Sequence, residues 1–354
     1  MPPARRLSPR IIGIGAAVIT ITVWTAFIVI ARASAARSLG PMDLAFARLC
    51  GAAMVLIPWG AWLVARDRLR DPSAGSLFGL SPLTLRLTAL TGAVGGLTYA
   101  MLAYTGFFYA PAAHASVLLP GSLPLWTALL AAWLLRDRIT PARAAGLALI
   151  VAGDLLVGGR SLLNAFDGGE VWKGDLLFMS AAFCWAGYSV LARRHALDAV
   201  RATIAITVFA FLCFVPAYTL LVAGGLVASR IGSAPWGEFV FQMLFQGVGS
   251  VVISGITFTR MIQYFGPVRS SMITALVPGL SALAASFFLG EPLYWNLIAG
   301  LLLVTAGILF GVRPPAAAVQ PGKASPAAAT DPVDATKSIA GCARPAGLGG
   351  RFDA

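Results

Sequence analysis

The stretches "WTAFIVIAR" (24–32) and "WAGYSVLAR" (185–193) share Trp, Val, Ala and Arg at matching places, with Phe27 opposite Tyr188, Ala26 opposite Gly187 and Ile30 opposite Leu191. The echo extends along the chain. Placing Asp137 against Glu291 aligns "LLRDRITPARAAGLALIVAG" (134–153) with "FLGEPLYWNLIAGLLLVTAG" (288–307). That register puts Gly146 on Gly300 and Gly153 on Gly307. Upstream it puts Pro124 on Pro278, Ser116 on Ser270 and Gly95 on Gly249. The chain reads as one unit written twice.

What the unit is follows from its solvent. Only 11% of the residues are charged and 58% are hydrophobic, against about 25% charged in ordinary soluble domains. Apolar runs long enough for a helical bilayer crossing recur at 11–31, 42–65, 87–109, 113–135, 141–159, 172–192, 202–227, 238–259, 267–289 and 293–312. Ten such runs joined by short polar turns leave too little polar surface for a water-soluble particle, so the expectation is an all-α polytopic membrane protein. The net charge of +12 is spread through short loops rather than gathered on one face, which argues against nucleic acid as a partner.

The basic loops set an orientation. With the N-terminus in the cytoplasm, Arg5, Arg6, Arg10, Arg66, Arg68, Arg70, Arg86, Arg136, Arg138, Arg143, Arg193, Arg194, Arg201, Arg260, Arg269 and Arg313 fall inside, against Arg32, Arg37, Arg160, Lys173 and Arg230 outside. Sixteen against five favours both termini inside, in the cytoplasmic (inner) membrane. Arg48 belongs to neither set and is placed near the outer end of the second span. Because each unit holds five spans, an odd number, the second copy starts on the opposite side. Arg32 then ends an outward-running helix and Arg193 an inward-running one, the pattern of an inverted-topology repeat. The expected layout is an N-terminal cytoplasmic segment 1–10, a first repeat 11–159, an external linker 160–171, a second repeat 172–313 and a Pro/Ala/Gly-rich, disordered cytoplasmic tail 314–354. "MPPARRLSPR" before the first span imitates a secretory signal, but that span exceeds a signal core and carries one copy of the repeated phrase. Cys50, Cys184, Cys213 and Cys342 are mutually isolated and read as small apolar filler.

The segment "GDLLFMSAAFCWAGYSVLARR" (174–194) and the ending "GPVRSSMITALVPGLSALAASFFLGEPLYWNLIAGLLLVTAGI" (266–308) resemble an EamA repeat. The chain over 11–313 is similar to EamA-type members of the drug/metabolite transporter (DMT) superfamily. Arg136-Asp137 stands where the family pattern, kept at Gly290-Glu291, has Gly-Glu. The resemblance implies ten helices, cytoplasmic termini and a cavity between the halves that opens to each side in turn. It implies a secondary transporter, here expected to export a small organic metabolite, amino acid or drug-like compound. The partners expected are the lipid bilayer and a small-molecule substrate, with the chain a monomer or homodimer.

Candidate working residues are those unusual inside a span. Trp24 and Trp185 are repeat mates, and Tyr188 shares a helical face with Trp185. Tyr99, Tyr104, Gln246 and Ser254 put donors and acceptors in apolar spans. With the two tryptophans they are candidate cavity lining, the tryptophans having membrane-interface anchoring as their alternative. His114, Asp154 and Arg260 are ionisable groups near span ends. His114 is a candidate for substrate contact or proton coupling, with uncoupled facilitation equally open. Gly92, Gly95 and Gly96, with Gly247 and Gly249, read as a seam of close helix packing. Pro120, Pro124 and Pro278 read as helix bends. The chain has no HExxH, GxSxG or Walker loop and no paired intramembrane carboxylates, so it reads as a non-enzyme without metal or cofactor. The rival classes are a membrane enzyme acting on lipid-linked substrates and a non-transporting scaffold.

Overall fold

A backbone in hydrocarbon must satisfy its polar groups internally, and these apolar runs do so as helices. The computed structural model describes residues 9–35, 37–164, 169–274 and 276–312. The tail 314–354, residues 165–168 of the linker and all but the last two residues of the segment 1–10 lie outside the described residues. The helices are α1 (Pro9–Ala35), α2 (Pro41–Arg68), α3 (Leu85–Tyr109), α4 (Ala112–Leu135), α5 (Pro141–Asn164), α6 (Val171–Arg194), α7 (Ala199–Ala223), α8 (Trp236–Phe265), α9 (Pro267–Leu289) and α10 (Trp295–Val312). Among the described residues, eight of these are long and apolar enough to cross a membrane. The apolar part of α10, Trp295–Phe310, is shorter, and α5 carries Arg143 and Asp154. The protein is an all-α polytopic membrane protein, and among the described residues eight of the ten expected spans are met on length and apolarity.

Packing follows the duplication. Helix α1 lies on α8 and α9, and α6 lies on α3 and α4. Helix α2 packs on α7 and α8, α7 on α3, and α5 on α10. Exchanging each helix for the one five places away turns every one of these contacts into another of the set. The α5–α10 crossing shows why the repeated glycines matter. A Cβ on Gly307 would stand 2.4 Å from the Gly146 carbonyl oxygen, and one on Gly300 2.8 Å from that of Gly153. Gly146 and Gly153 are the repeat mates of Gly300 and Gly307, so the two contacts are images of each other. Bare backbones approach here because lipid gives helices no hydrophobic reason to associate.

The irregular backbone is repeated as well. Helix α3 carries a π-helical segment at Ala93–Thr98, and α8 carries one at Met243–Ile253, which includes the equivalent positions. Helix α4 breaks between Leu118 and Leu123, and α9 breaks after Ile273. Pro120 lies in the first break, whereas Pro124 and Pro278 lie at the start of the resumed helices, where a missing N–H costs nothing. Pro58 in α2 and Pro216 in α7 occupy matching sites. Arg136 adopts the left-handed conformation, φ 57°, at the site where its mate Gly290 has φ 66°. The expected glycine seam divides instead among interfaces: Gly92 and Gly96 face α7, Gly95 faces Tyr188, and Gly247 meets the α2 backbone at Gly51. The nearest atoms to a Cβ on Gly249 are 4.0 Å away, so it is not a close-packing site.

Asp43 anchors the start of α2. Its buried carboxylate accepts hydrogen bonds from the Tyr218 hydroxyl, Ser229 Oγ (2.8 Å) and the backbone N–H groups of Arg230 (3.1 Å) and Gly40 (2.9 Å). Four donors offset the cost of burying this charge and tie the α2 N-terminus to α7 and to the loop after it.

Candidate functional site

The broken and π-helical segments border two adjoining cavities between the halves. The first, a narrow space of about 30 Å³, is walled by Trp24, Phe27 and Ile28 of α1, Arg48 of α2, Tyr99 of α3 and Leu119, Pro120 and Leu123 beside the α4 break. The second half supplies Ala182 and Trp185 of α6, Ser250 and Ser254 of α8, and Val277 of α9. The second cavity, also about 30 Å³, shares Arg48, Trp185 and Ser250. It adds Leu49, Gly95, Gly96, Tyr188, Thr203, Ile206, Thr207, Ala210, Val251 and Gly255. A Cβ on Gly95 would stand 2.8 Å from the Tyr188 ring, so glycine there lets the ring lie against α3.

Aromatic rings give the first cavity its shape. Trp24 and Trp185 meet edge to face with centroids 6.0 Å apart. Tyr99 lies 4.9 Å from Trp185, and Phe258 lies 4.9 Å from Trp24 and 5.7 Å from Trp185. Such contacts fix ring orientation as well as burying apolar area. Trp24 Nε1 donates to Ser254 Oγ (3.3 Å), joining the two halves across the cavity wall.

Among the described residues Arg48 is the one charged residue on either wall. Its side chain is buried, with the guanidinium 5.6 Å from the Phe27 ring and 5.9 Å from the Tyr104 ring. Nη1 donates to Ser250 Oγ (3.0 Å) and to the Tyr104 hydroxyl (3.4 Å), and that hydroxyl donates to Gln246 Oε1 (3.0 Å).

Of the residues expected to line a cavity, the structure brings Trp24, Tyr99, Trp185 and Ser254 to the first and Trp185 and Tyr188 to the second. Tyr188 also shares a hydrogen bond with Thr259 (2.6 Å). Tyr104 and Gln246 stand one layer back, holding Arg48. His114 lies elsewhere, with Nδ1 2.9 Å from Asp175 Oδ1, linking α4 to α6. Asp175 shares an apolar recess with Asp154, whose two buried carboxylate oxygens have no hydrogen-bond partner among the described residues. Sequence reasoning missed Arg48, Phe27 and Ser250. The available signal was that Arg48 fitted neither side of the loop count, because an arginine in a span is costly and is kept for a task.

A further cluster closes one end of the helices. Arg32 Nε donates to Glu291 Oε1 (3.2 Å) and Arg32 Nη1 to the Phe107 carbonyl (2.9 Å). Glu291 also accepts from the first backbone N–H groups of α4, at Ala112 (3.3 Å) and Ala113 (3.1 Å). This latch joins α1 and α4 of the first half to the α9–α10 turn of the second. Its repeat image would join Arg193, Asp137 and the start of α9. That image is not formed: among the described residues Arg193 has no ion-pair partner, and its guanidinium lies beside Gly266 on the rim of a recess of about 500 Å³. Among the described residues no group of three or more His, Cys, Asp or Glu side chains is placed to hold a metal ion.

Comparison with known proteins gives the same outline. The profile of the EamA-like transporter family matches residues 11–159 and again 172–313. The uncharacterized transporter YyaM of Bacillus subtilis is 26% identical over 236 residues, covering 65% of this chain and 75% of that protein. An uncharacterized transporter of Archaeoglobus fulgidus is 26% identical over 292 residues, 82% of this chain and 93% of its own. A crystal structure at 21% identity superposes with a TM-score of 0.53 over 87% of this chain and 97% of that one, a likeness of fold.

Proposed function

Since the chain belongs to the EamA-like transporter family and is a membrane transporter, we propose that it is a secondary transporter moving a small organic solute by alternating access between halves 11–159 and 172–313. The observation that carries the reading is the central cavity walled by both halves, with one latch made and its repeat image open. A symmetric scaffold with an asymmetric set of closures has a second arrangement available in which the roles exchange.

In this reading the Arg32–Glu291 latch seals the outer end while Arg193 and Asp137 stand apart at the inner end. The other state pairs Arg193 with Asp137 and releases Arg32. The distribution of arginines supports a cytoplasmic-membrane placement with both termini and the tail inside and the linker 160–171 outside. Proton coupling, where it operates, belongs to His114, Asp175 and Asp154, which lie apart from the central cavity. A pH-gradient-driven flux that Asp154→Asn abolishes would place it there, and a flux indifferent to the gradient would mark facilitation.

The test is reconstitution of the full chain in liposomes with flux measured in both directions. Saturable uptake of organic solutes that the Trp185→Ala variant reduces at least about tenfold is expected. No saturable flux across acids, amines, nucleobases and amphipathic drugs would contradict the proposal.

A further inference from the structure

Arg48 is a buried cation that the scaffold does not require. Its repeat mate is identified twice: the matching prolines Pro58 and Pro216 set the register of α2 against α7, and Ser250, which Arg48 contacts, is the mate of Gly96, whose Cβ would meet Ile206. Both relations put Ile206 where the first half has Arg48. An apolar side chain serves the same packing in the other half, so the guanidinium does something besides fill space.

The groups that Arg48 contacts are neutral hydroxyl acceptors and carry no negative charge. No carboxylate pairs with it among the described residues, and neither cavity is walled by an Asp or Glu. Its hydrogen bonds there are made by Nη1 alone, which leaves Nε and Nη2, two parallel donors spaced for the two oxygens of a carboxylate. Trp185 Nε1, in a residue on the wall of both cavities, is a buried donor without a partner among the described residues. An uncompensated cation in a membrane interior is costly, and an anion arriving at it removes that cost.

Resting on the transporter reading, we propose that Arg48 is the binding site for the acidic group of the substrate, and that the substrate is an organic monoanion with a flat apolar body. One guanidinium balances one negative charge, whereas a dianionic phosphate would leave a net charge buried. Trp24, Tyr99 and Trp185 surround the body with ring faces and edges. A free amine finds no carboxylate on the wall, so the acid is bound more tightly than the zwitterion with the same skeleton.

The experiment is calorimetric titration of the purified full chain with matched ligands that differ only in their ionic group: 3-phenylpropionate, phenylalanine, 2-phenylethylamine and 3-phenylpropan-1-ol. Benzoate with benzyl alcohol and benzylamine provides a smaller matched set. The anions are expected to bind at least about tenfold more tightly than their neutral and cationic mates. Arg48→Gln should abolish that preference. Arg48→Lys, which keeps the charge but not the fork, should retain a weakened preference. If Arg48→Gln does not fold, the comparison of ligands on the wild-type chain with Arg48→Lys beside it still decides. No anion preference in either set, or a preference that survives Arg48→Gln, overturns the proposal. Anion binding without flux in liposomes would contradict the transporter reading and leave the site standing. Flux of amines or alcohols with no anion binding would do the reverse.

Discussion

The Arg32 end and the Arg193 end of this protein descend from the same nine residues and are in opposite conditions. Arg32 is held by Glu291, a carbonyl and, through Glu291, the start of α4, whereas Arg193 lies at the rim of an open recess with Asp137 away in solvent. Elsewhere the halves agree closely: the π-helical segments, the breaks in α4 and α9, the prolines of α2 and α7 and the glycine pairs of α5–α10 all recur. Packing is therefore symmetric where the scaffold is built and asymmetric where it closes. That combination is expected of two halves that exchange roles.

The packing side of the comparison breaks with the largest effect. Gly153→Leu or Gly307→Leu forces a side chain into a backbone 2.4–2.6 Å from the ideal Cβ. Each should cost about 3 kcal/mol or more, read as a fall in thermal melting temperature of the purified protein. The two costs should agree within about 0.5 kcal/mol if the crossing is symmetric. A large cost on one side alone would show that the glycine contacts are not equivalent.

The closures should respond unequally. Glu291→Gln removes the charge that organises the Arg32 latch and should lower stability by about 1–2 kcal/mol in this state. Asp137→Asn, at the unformed image, should leave the melting temperature unchanged while still slowing flux. Equal effects on stability would mean the two ends are equally engaged. A smaller change sharpens the comparison at the turns that carry these acids. Arg136 holds a left-handed conformation that its mate fills with glycine. Arg136→Gly should raise stability by about 0.5–1 kcal/mol, and Gly290→Arg should lower it by a similar amount.

Most of the scaffold was legible because hydropathy and repetition report on bulk physics. Apolar run length is set by the bilayer, and the register that placed Gly153 on Gly307 also placed two backbones in contact. The backbone irregularities were less legible. Prolines announced that α4 and α9 are interrupted, but Pro124 and Pro278 open the resumed helices rather than bend them, and the π-helical segments have no residue signature of their own. At the site, Trp24, Trp185, Tyr99 and Ser254 stand out as aromatic or polar residues in apolar spans, and the fold brings them to one wall. His114 stands out instead as an ionisable group near a span end and lies elsewhere, because its partner Asp175 is on another helix and a pair between helices is not visible in the linear sequence. Arg48 falls outside a count that concerns loops, and an arginine that fits neither side is one the loop rule does not explain.

Reciprocal motion of the two ends tests the account most directly. Spin labels at Arg37 and Tyr294 span the Arg32–Glu291 latch, and labels at Arg138 and Arg194 span its repeat image at the Arg193 end, all at exposed positions. Double electron–electron resonance on the full chain in nanodiscs, with and without transported solute, reads both distances. The account predicts that conditions lengthening the pair across the latch shorten the pair across its repeat image, with Glu291→Gln biasing the population the same way. Two distances that stay fixed, or that lengthen and shorten together, would contradict it.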